Sequence, residues 1–490
     1  MTYVRSSAGS VIGRSRSPVP WMLAAALLFV ASLAMRFPGV AMYDSVTQYQ
    51  QAVSGNYDDW HPPIMAHAWA LLNHIHGGTA PFFIVQMLLW WSGLGLISVA
   101  LGQQRRHGAA ALVLLVGIAP LWLGWTTVVL KDAQMACCLA AATGLAAYWR
   151  FDRRNMPGWA VAAIAILLIY ATLVRGNAVF ATVPFAMALV GWPRRDRLWV
   201  QVTTGIVLML AVIAVSPFIN HRLLLAAPSG VERVLPLYDM VGITHYARLP
   251  SIAAIPPALW AESEQKGCYT PYYWNPYGED RQCGSIGTAA VFAEGAEPHL
   301  MRDWAGQVLR HPVAYARHRL SHLNSNLRFW VRGTEPDAIP PIDSEPNKDG
   351  LGAPPTAGAR MLISAATLML ATPLGWPIVW LAVAAGLTWA STGRTEPQAR
   401  LGRALAISAL CMSGSFAVVS IASDLRYHLW SMVAAALALI LLIDARALYR
   451  RRALISGAVV LGVIAIGTAA RLGAASPVYI PVMPPATASS

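Results

Sequence analysis

Asp44, Asp58, Asp59 and His61 crowd one stretch of chain, Tyr43-Asp44-Ser45-Val46-Thr47-Gln48-Tyr49 and then Tyr57-Asp58-Asp59-Trp60-His61-Pro62-Pro63, with long apolar blocks on either side. Three further places set charge against such blocks: Lys131-Asp132, Arg175, and Asp424-Leu425-Arg426-Tyr427. A carboxylate can take a proton from a hydroxyl. Fixed cations stabilise negative charge that grows on a departing group, and the arginine fork suits an oxyanion bidentately. A charge within an apolar helix costs ~2.5–3.5 kcal/mol on insertion scales, so each of these residues asks for a reason. Plainer roles stand beside the chemical ones. Lys131 and Asp132 could pair with each other, Arg175 could snorkel to lipid phosphates, and Arg426 could pair with Asp424.

The elements that must position these residues are membrane helices. Of 490 residues, 56% are hydrophobic and 12% charged, with a mean hydropathy of +0.49. Soluble domains average about 25% charged, so a single water-soluble globule is excluded. Apolar blocks fall near 19–37, 81–101, 108–128, 132–149, 157–174, 177–193, 198–217, 361–390, 404–422, 427–444 and 453–470, lengths that span a bilayer. The expectation is an all-α polytopic membrane protein of about eleven helices. Eighteen of the 36 basic residues lie in the segment before the first block and in alternate short loops, while 39–80 has none. The positive-inside rule then puts the N-terminus in the cytoplasm and the C-terminus outside. The same bias explains the net charge of +13 without nucleic acid. A signal peptide over 1–37 is the competing reading, though its apolar stretch is longer than the usual ~7–15 residues.

This topology gives a cytoplasmic tail (1–18), a transmembrane core (19–217) with a first outer loop (39–80), an extracytoplasmic segment (218–360), C-terminal transmembrane helices (361–470) and an outer tail (471–490). All the charges singled out above fall at the outer face. A transporter would carry them near the midplane, whereas this distribution suits a surface-facing active site. Cys268 and Cys283 lie in the outer segment, where a disulfide is expected and two free thiols are the alternative. Pro312–Val331 reads as a helix with Arg317, Ser321, Asn324 and Arg328 on one face, lying along the membrane surface. After Pro62-Pro63, an interfacial helix should bury Ile64, Met65, Ala68, Leu72 and Ile75. Trp90-Trp91 fit an interface belt, and His318 and His322 an interfacial helix face. His61, His67, His74 and His76 lack a zinc-ligand spacing. No phosphate-binding glycine loop occurs, and 335–355 reads as an irregular linker.

The order Tyr43-Asp44-Ser45, Asp59-Trp60-His61-Pro62-Pro63, Lys131-Asp132 and Asp424-Leu425-Arg426-Tyr427 resembles the GT-C membrane glycosyltransferases that use polyprenyl-phosphate sugars, near the protein O-mannosyltransferase and lipid A aminoarabinose transferase branch. The likeness covers mainly residues 19–217 and 404–444. It implies a polyprenyl-phosphate sugar as donor, an envelope glycan, lipid or protein as acceptor, surrounding membrane lipids as partners, and inversion at the transferred sugar. Asp44 is then the base, with Asp59 and Asp132 as further catalytic carboxylates. His61, Lys131, Arg175, Arg426 and Tyr427 would bind substrate and its phosphate. Relatives often have Asp-Glu where this chain has Asp44-Ser45, which leaves a divalent metal open, with Asp58, Asp59 or Asp132 as substitute carboxylates. Alternatives are a polysaccharide repeat-unit polymerase or ligase, whose donor would be a lipid diphosphate, and a lipid or glycan flippase, which would make no covalent product.

Overall fold

The apolar blocks fold as helices because a backbone in lipid must satisfy its polar groups within its own segment. The computed structural model describes residues 17–190, 197–251, 255–279, 281–293, 298–332 and 338–473. The chain starts with α1 (Val19–Arg36), α2 (Tyr43–Ser54), α3 (Pro63–Asn73) and α4 (Ala80–Gln103). Next come α5 (His107–Ile118), α6 (Pro120–Thr126), α7 (Lys131–Arg150), α8 (Gly158–Val174), α9 (Val179–Val190) and α10 (Leu198–Phe218). A region of shorter helices follows: α11 (Val234–Ala247), α12 (Pro257–Lys266), α13 (Gly284–Gly287), α14 (Leu300–Arg310) and α15 (Pro312–Leu327). The chain then returns to apolar helices, α16 (Ala357–Ala371), α17 (Pro377–Ala390), α18 (Pro397–Val419), α19 (Leu429–Asp444) and α20 (Arg450–Gly473). Among the described residues there is no strand, only three isolated bridges.

The architecture is all-α and polytopic, but the count of eleven is not reached by single helices. Six helices among the described residues are long and apolar enough to cross a membrane, or seven if the α5–α6 pair, bent by 58° at Ala119-Pro120, is one span. The block 361–390 is two helices rather than one, because Pro373 and Pro377 each disfavour helical geometry in the residue before them and Thr372 caps the turn between. α7 is an interior helix built of Ala, Gly and Cys and buried along most of its length. It crosses α4 with backbones touching: a methyl on Gly93 would meet the Ala140 carbonyl carbon at 2.5 Å. Small residues permit that approach, as in membrane helix pairs generally.

Three helix faces differ from expectation. α3 starts at the double proline, with Pro63 in its first turn, where a missing N–H costs nothing. It buries Met65, Ala66 and Trp69 while Leu71 and Ile75 stand exposed, because Trp69 packs on Phe82 and donates to the Gly78 carbonyl. Trp90 and Trp91 are core residues rather than an interface belt, donating to the Gly117 carbonyl and to Ser32. α15 turns inward the side carrying His318, Arg319, His322, Ser325 and Asn326. His318 and His322 are wholly buried, not an interfacial face. Arg328 is not part of a surface row with Arg317 either; it adopts φ 52° just past the helix end, and its side chain is buried.

The region from α11 to α15 has its own core, in which Tyr238, Trp260, Tyr277 and Ile286 surround a Cys268–Cys283 disulfide. Burial holds His322 down at about 3, helped by the cation of Arg319, so the ring is neutral and bonds the Pro271 carbonyl.

Candidate active site

A short parallel bridge between Val40 and Val128 sets the floor of the site. Val129 donates to the Val40 carbonyl at 2.9 Å, and Ser45 Oγ donates to the Val129 carbonyl at 2.6 Å while accepting from Met42 N–H at 3.1 Å. Ser45, which follows Asp44, is thus the bolt between the start of α2 and the start of α7. It places Asp44, in the first turn of α2, beside Lys131, the first residue of α7. Helix N-termini favour negative charge, and both carry an aspartate there.

Around Asp44 the ion pairs are close. Its Oδ2 lies 3.2 Å from Lys131 Nζ and 3.3 Å from an Arg426 terminal nitrogen, and its Oδ1 lies 3.9 Å from His61 Nε2. Lys131 Nζ also approaches His61 Nδ1 at 2.9 Å. An ammonium can only donate, so Nδ1 accepts and the neutral ring carries its proton on Nε2, facing Asp44. Burial first, and then the Lys131 charge, push His61 down to about 3, which keeps the ring neutral. For Asp44, burial alone would push the carboxyl up, but Lys131 and Arg426 outweigh it and hold the group well below the usual carboxylate range. Glu345, distant in sequence, bonds the Tyr43 backbone, and partial burial together with the Asp44 charge pushes it up.

Asp132 and Arg175 sit behind this layer. They form a buried ion pair, and Arg175 Nε donates to Asn177 at 2.9 Å while its guanidinium lies 4.2 Å above the Tyr427 ring. Asp132 also lies 3.9 Å from Arg426, which Asp424 holds at 2.9 Å. Neither Asp132 nor Arg175 lines the cavity. Asp59 stands apart: it accepts from Ser229 N–H and Oγ at 2.7 Å each and faces His221. With the Asp58–Ala227 bridge it clamps the 57–61 loop to the region before α11.

The cavity above Asp44 measures about 660 Å³. Asp44, His61, Lys131, Arg426 and Tyr427 form one side; Trp60, Tyr273, Trp274, Glu279 and Phe292 form much of the other. A third bridge, Tyr273 to Ala422, joins the two sides. Nothing in the sequence marked Tyr273, Trp274 or Glu279, since only the tertiary fold brings them here. Among the described residues no group of three or more His, Cys, Asp or Glu is placed to hold a metal ion; Asp44, Asp132 and Asp424 face Lys131, Arg175 and Arg426.

No protein-family model matches the chain, and no curated protein matches it. Solved structures that it resembles include ArnT from Cupriavidus metallidurans bound to undecaprenyl phosphate, at 15% identity over 88% of this chain and 77% of that one, with a TM-score of 0.30. They include also the archaeal oligosaccharyltransferase AglB from Archaeoglobus fulgidus in complex with an inhibitory peptide and a dolichol-phosphate, at 14% identity over 93% and 55% and a TM-score of 0.33. A second structure of the Archaeoglobus fulgidus oligosaccharyltransferase, with zinc and sulfate, matches at 12% identity over 93% and 53% with a TM-score of 0.34. The chain spans about half the length of the two archaeal structures.

Proposed function

We propose that the protein is an inverting membrane glycosyltransferase of the GT-C kind, moving a sugar from a polyprenyl-phosphate donor to a hydroxyl of an envelope glycan, lipid or protein on the outer face. The observation that carries the reading is a carboxylate, Asp44, touched by two cations, Lys131 and Arg426, at the floor of a cavity where apolar helices begin. A second cavity of about 650 Å³, walled by α8, α9 and α10 with Asp59 and His221 at its polar end, offers apolar surface to a polyprenyl chain.

Lys131 and Arg426 neutralise Asp44. An arriving donor phosphate competes for the same two cations, and as they turn to it Asp44 loses its counter-charges and becomes a stronger base. The acceptor oxygen then attacks the anomeric carbon, the carbon–oxygen bond to phosphate breaks with its electron pair leaving on the phosphate, and the hydroxyl proton passes to Asp44. Phosphate is already a good leaving group, so no general acid is needed. Lys131 and Arg426 hold its growing charge, while Asp132 and Asp424 keep Arg426 aimed. Trp60, Trp274 and Glu279 across the cavity are placed to meet the acceptor.

Transfer from radiolabelled polyprenyl-phosphate monosaccharides in membranes tests this. Asp44→Asn should lose about 10²–10⁴-fold in rate, the usual worth of a general base, with its expression unchanged. Full activity would remove Asp44 as the base. Absence of transfer by wild type from every monosaccharide phosphate would favour a lipid-diphosphate donor or a flippase.

A further inference from the structure

The far end of α7 carries a second charged site. α7 has 20 residues and so spans roughly 30 Å, about the thickness of a bilayer's hydrocarbon core. It begins at Lys131 in the active site and ends at Arg150. There a cavity of about 270 Å³ is lined by Arg150, Arg153, Arg154 and Arg400, with Pro397 at the N-terminus of α18 and an apolar side that includes Leu189.

Other arginines of comparable loop and helix-end positions are satisfied by protein groups. Arg106 pairs with Asp444 at 2.6 Å, and Arg403 donates to the Ser391 and Arg394 carbonyls at 2.7 and 3.0 Å. The pocket differs. Arg154 has Asp152 at 2.9 Å, but among the described residues no carboxylate pairs with Arg150, Arg153 or Arg400, and Arg150 meets only the Leu189 carbonyl. A general bias of basic residues to one face would leave them dispersed in water. Here helices far apart in sequence bring like charges around one concavity, whose rim residue Val190 is 89% exposed.

We propose that this pocket binds the phosphodiester headgroup of an anionic phospholipid in the leaflet opposite the active site. Guanidinium forks match phosphate oxygens, basic pockets between transmembrane helices take anionic headgroups, and the exposed Val190 at the rim suits an acyl chain better than it suits a free ion. The inference stands independently of the sugar-transfer reading.

The test is native mass spectrometry of the full-length protein in neutral detergent, titrated with phosphatidylglycerol, with phosphatidylcholine, and with inorganic phosphate. The double variant Arg150→Gln/Arg400→Gln should bind phosphatidylglycerol about tenfold more weakly, the scale of one or two lost charge-assisted bonds. Arg153→Gln, in an exposed loop and safe for folding, should weaken it in the same direction. Arg446→Gln removes an equal charge outside the pocket and should change nothing. Equal losses in Arg446→Gln, or no loss in either pocket variant, would overturn the site. Saturable binding of inorganic phosphate with the same arginine dependence, and none of phosphatidylglycerol, would overturn the lipid and assign a soluble phosphate compound.

Discussion

On the proposed reading, Asp44 is a base whose strength the donor sets. In the free protein its carboxyl is held well below the usual range by Lys131 and Arg426; with a donor phosphate drawing those cations away and adding its own negative charge, the same carboxyl must rise. The pH dependence of kcat/KM reports the free enzyme and that of kcat the bound complex. Activity should therefore fall on the acid side at a higher pH in kcat than in kcat/KM, and coincident limbs in steady-state profiles would deny that phosphate and Asp44 share their cations. Asp44, Lys131 and Arg426 were legible in the sequence because charge beside apolar helices is costly and so conspicuous. Asp132 and Arg175 were equally conspicuous, yet they pair with each other behind the site, and spacing along a chain does not separate a front layer from a back one. Asp59 illustrates the same limit, as its neighbour Asp58 lines the cavity while Asp59 grips Ser229.

At the level of elements, α15 controls where Arg426 stands. Arg319 donates to the Ser420 carbonyl at 2.7 Å, Asn326 to the Ala422 carbonyl at 2.8 Å and Arg328 to the Ser423 carbonyl at 3.2 Å, and Asn326 also bonds His428. Three side chains thereby hold three carbonyls of the loop that leads into Arg426. Asn326→Ala should raise the donor KM severalfold and cost about 1–3 kcal/mol of stability for the buried partners left unpaired. Kinetics with a purified donor, read beside a thermal melt, would check this; a melt lowered with KM unmoved would reduce Asn326 to a purely structural part. This helix was misjudged from sequence for a physical reason. Periodicity counts apolar residues, and α15 buries a polar face whose partners are loop carbonyls. The division of α16 from α17 was written in Pro373 and Pro377, but total apolarity masked it.

Over the whole molecule, the segment from Ala227 through α15 is tied to loops between the apolar helices by two of the three bridges, Asp58–Ala227 and Tyr273–Ala422, and both border the cavity. The Cys268–Cys283 bond closes a loop within that region at a sequence separation of 15. By chain entropy this contributes about 3 kcal/mol. Cys268→Ala/Cys283→Ala should lower the unfolding free energy of that region by this amount, and limited proteolysis should cut there first; equal protease resistance with and without the bond would contradict it. The architecture, the disulfide and one face of the candidate site were readable because each leaves a local mark in composition. The opposite wall was not, since Trp274 and Glu279 reach Asp44 only through pairings between distant segments.

The ion-pair network also has an order in time. Asp44, Lys131, Asp132 and Arg175 all belong to the first 175 residues, whereas Arg426 lies roughly 250 residues further on. At about 5–20 residues per second of synthesis, some 12–50 s separate the emergence of Arg175 from that of Arg426. Throughout that interval Arg175, the partner of Asp132 in the complete fold, has already been synthesised, so a nascent chain need not leave a naked carboxylate among its first helices. Asp44, by contrast, has Lys131 alone until Arg426 arrives. A chain that stops short of Arg426 leaves Asp44 with one of its two cations, and both can gather on that carboxylate only after Arg426 has emerged.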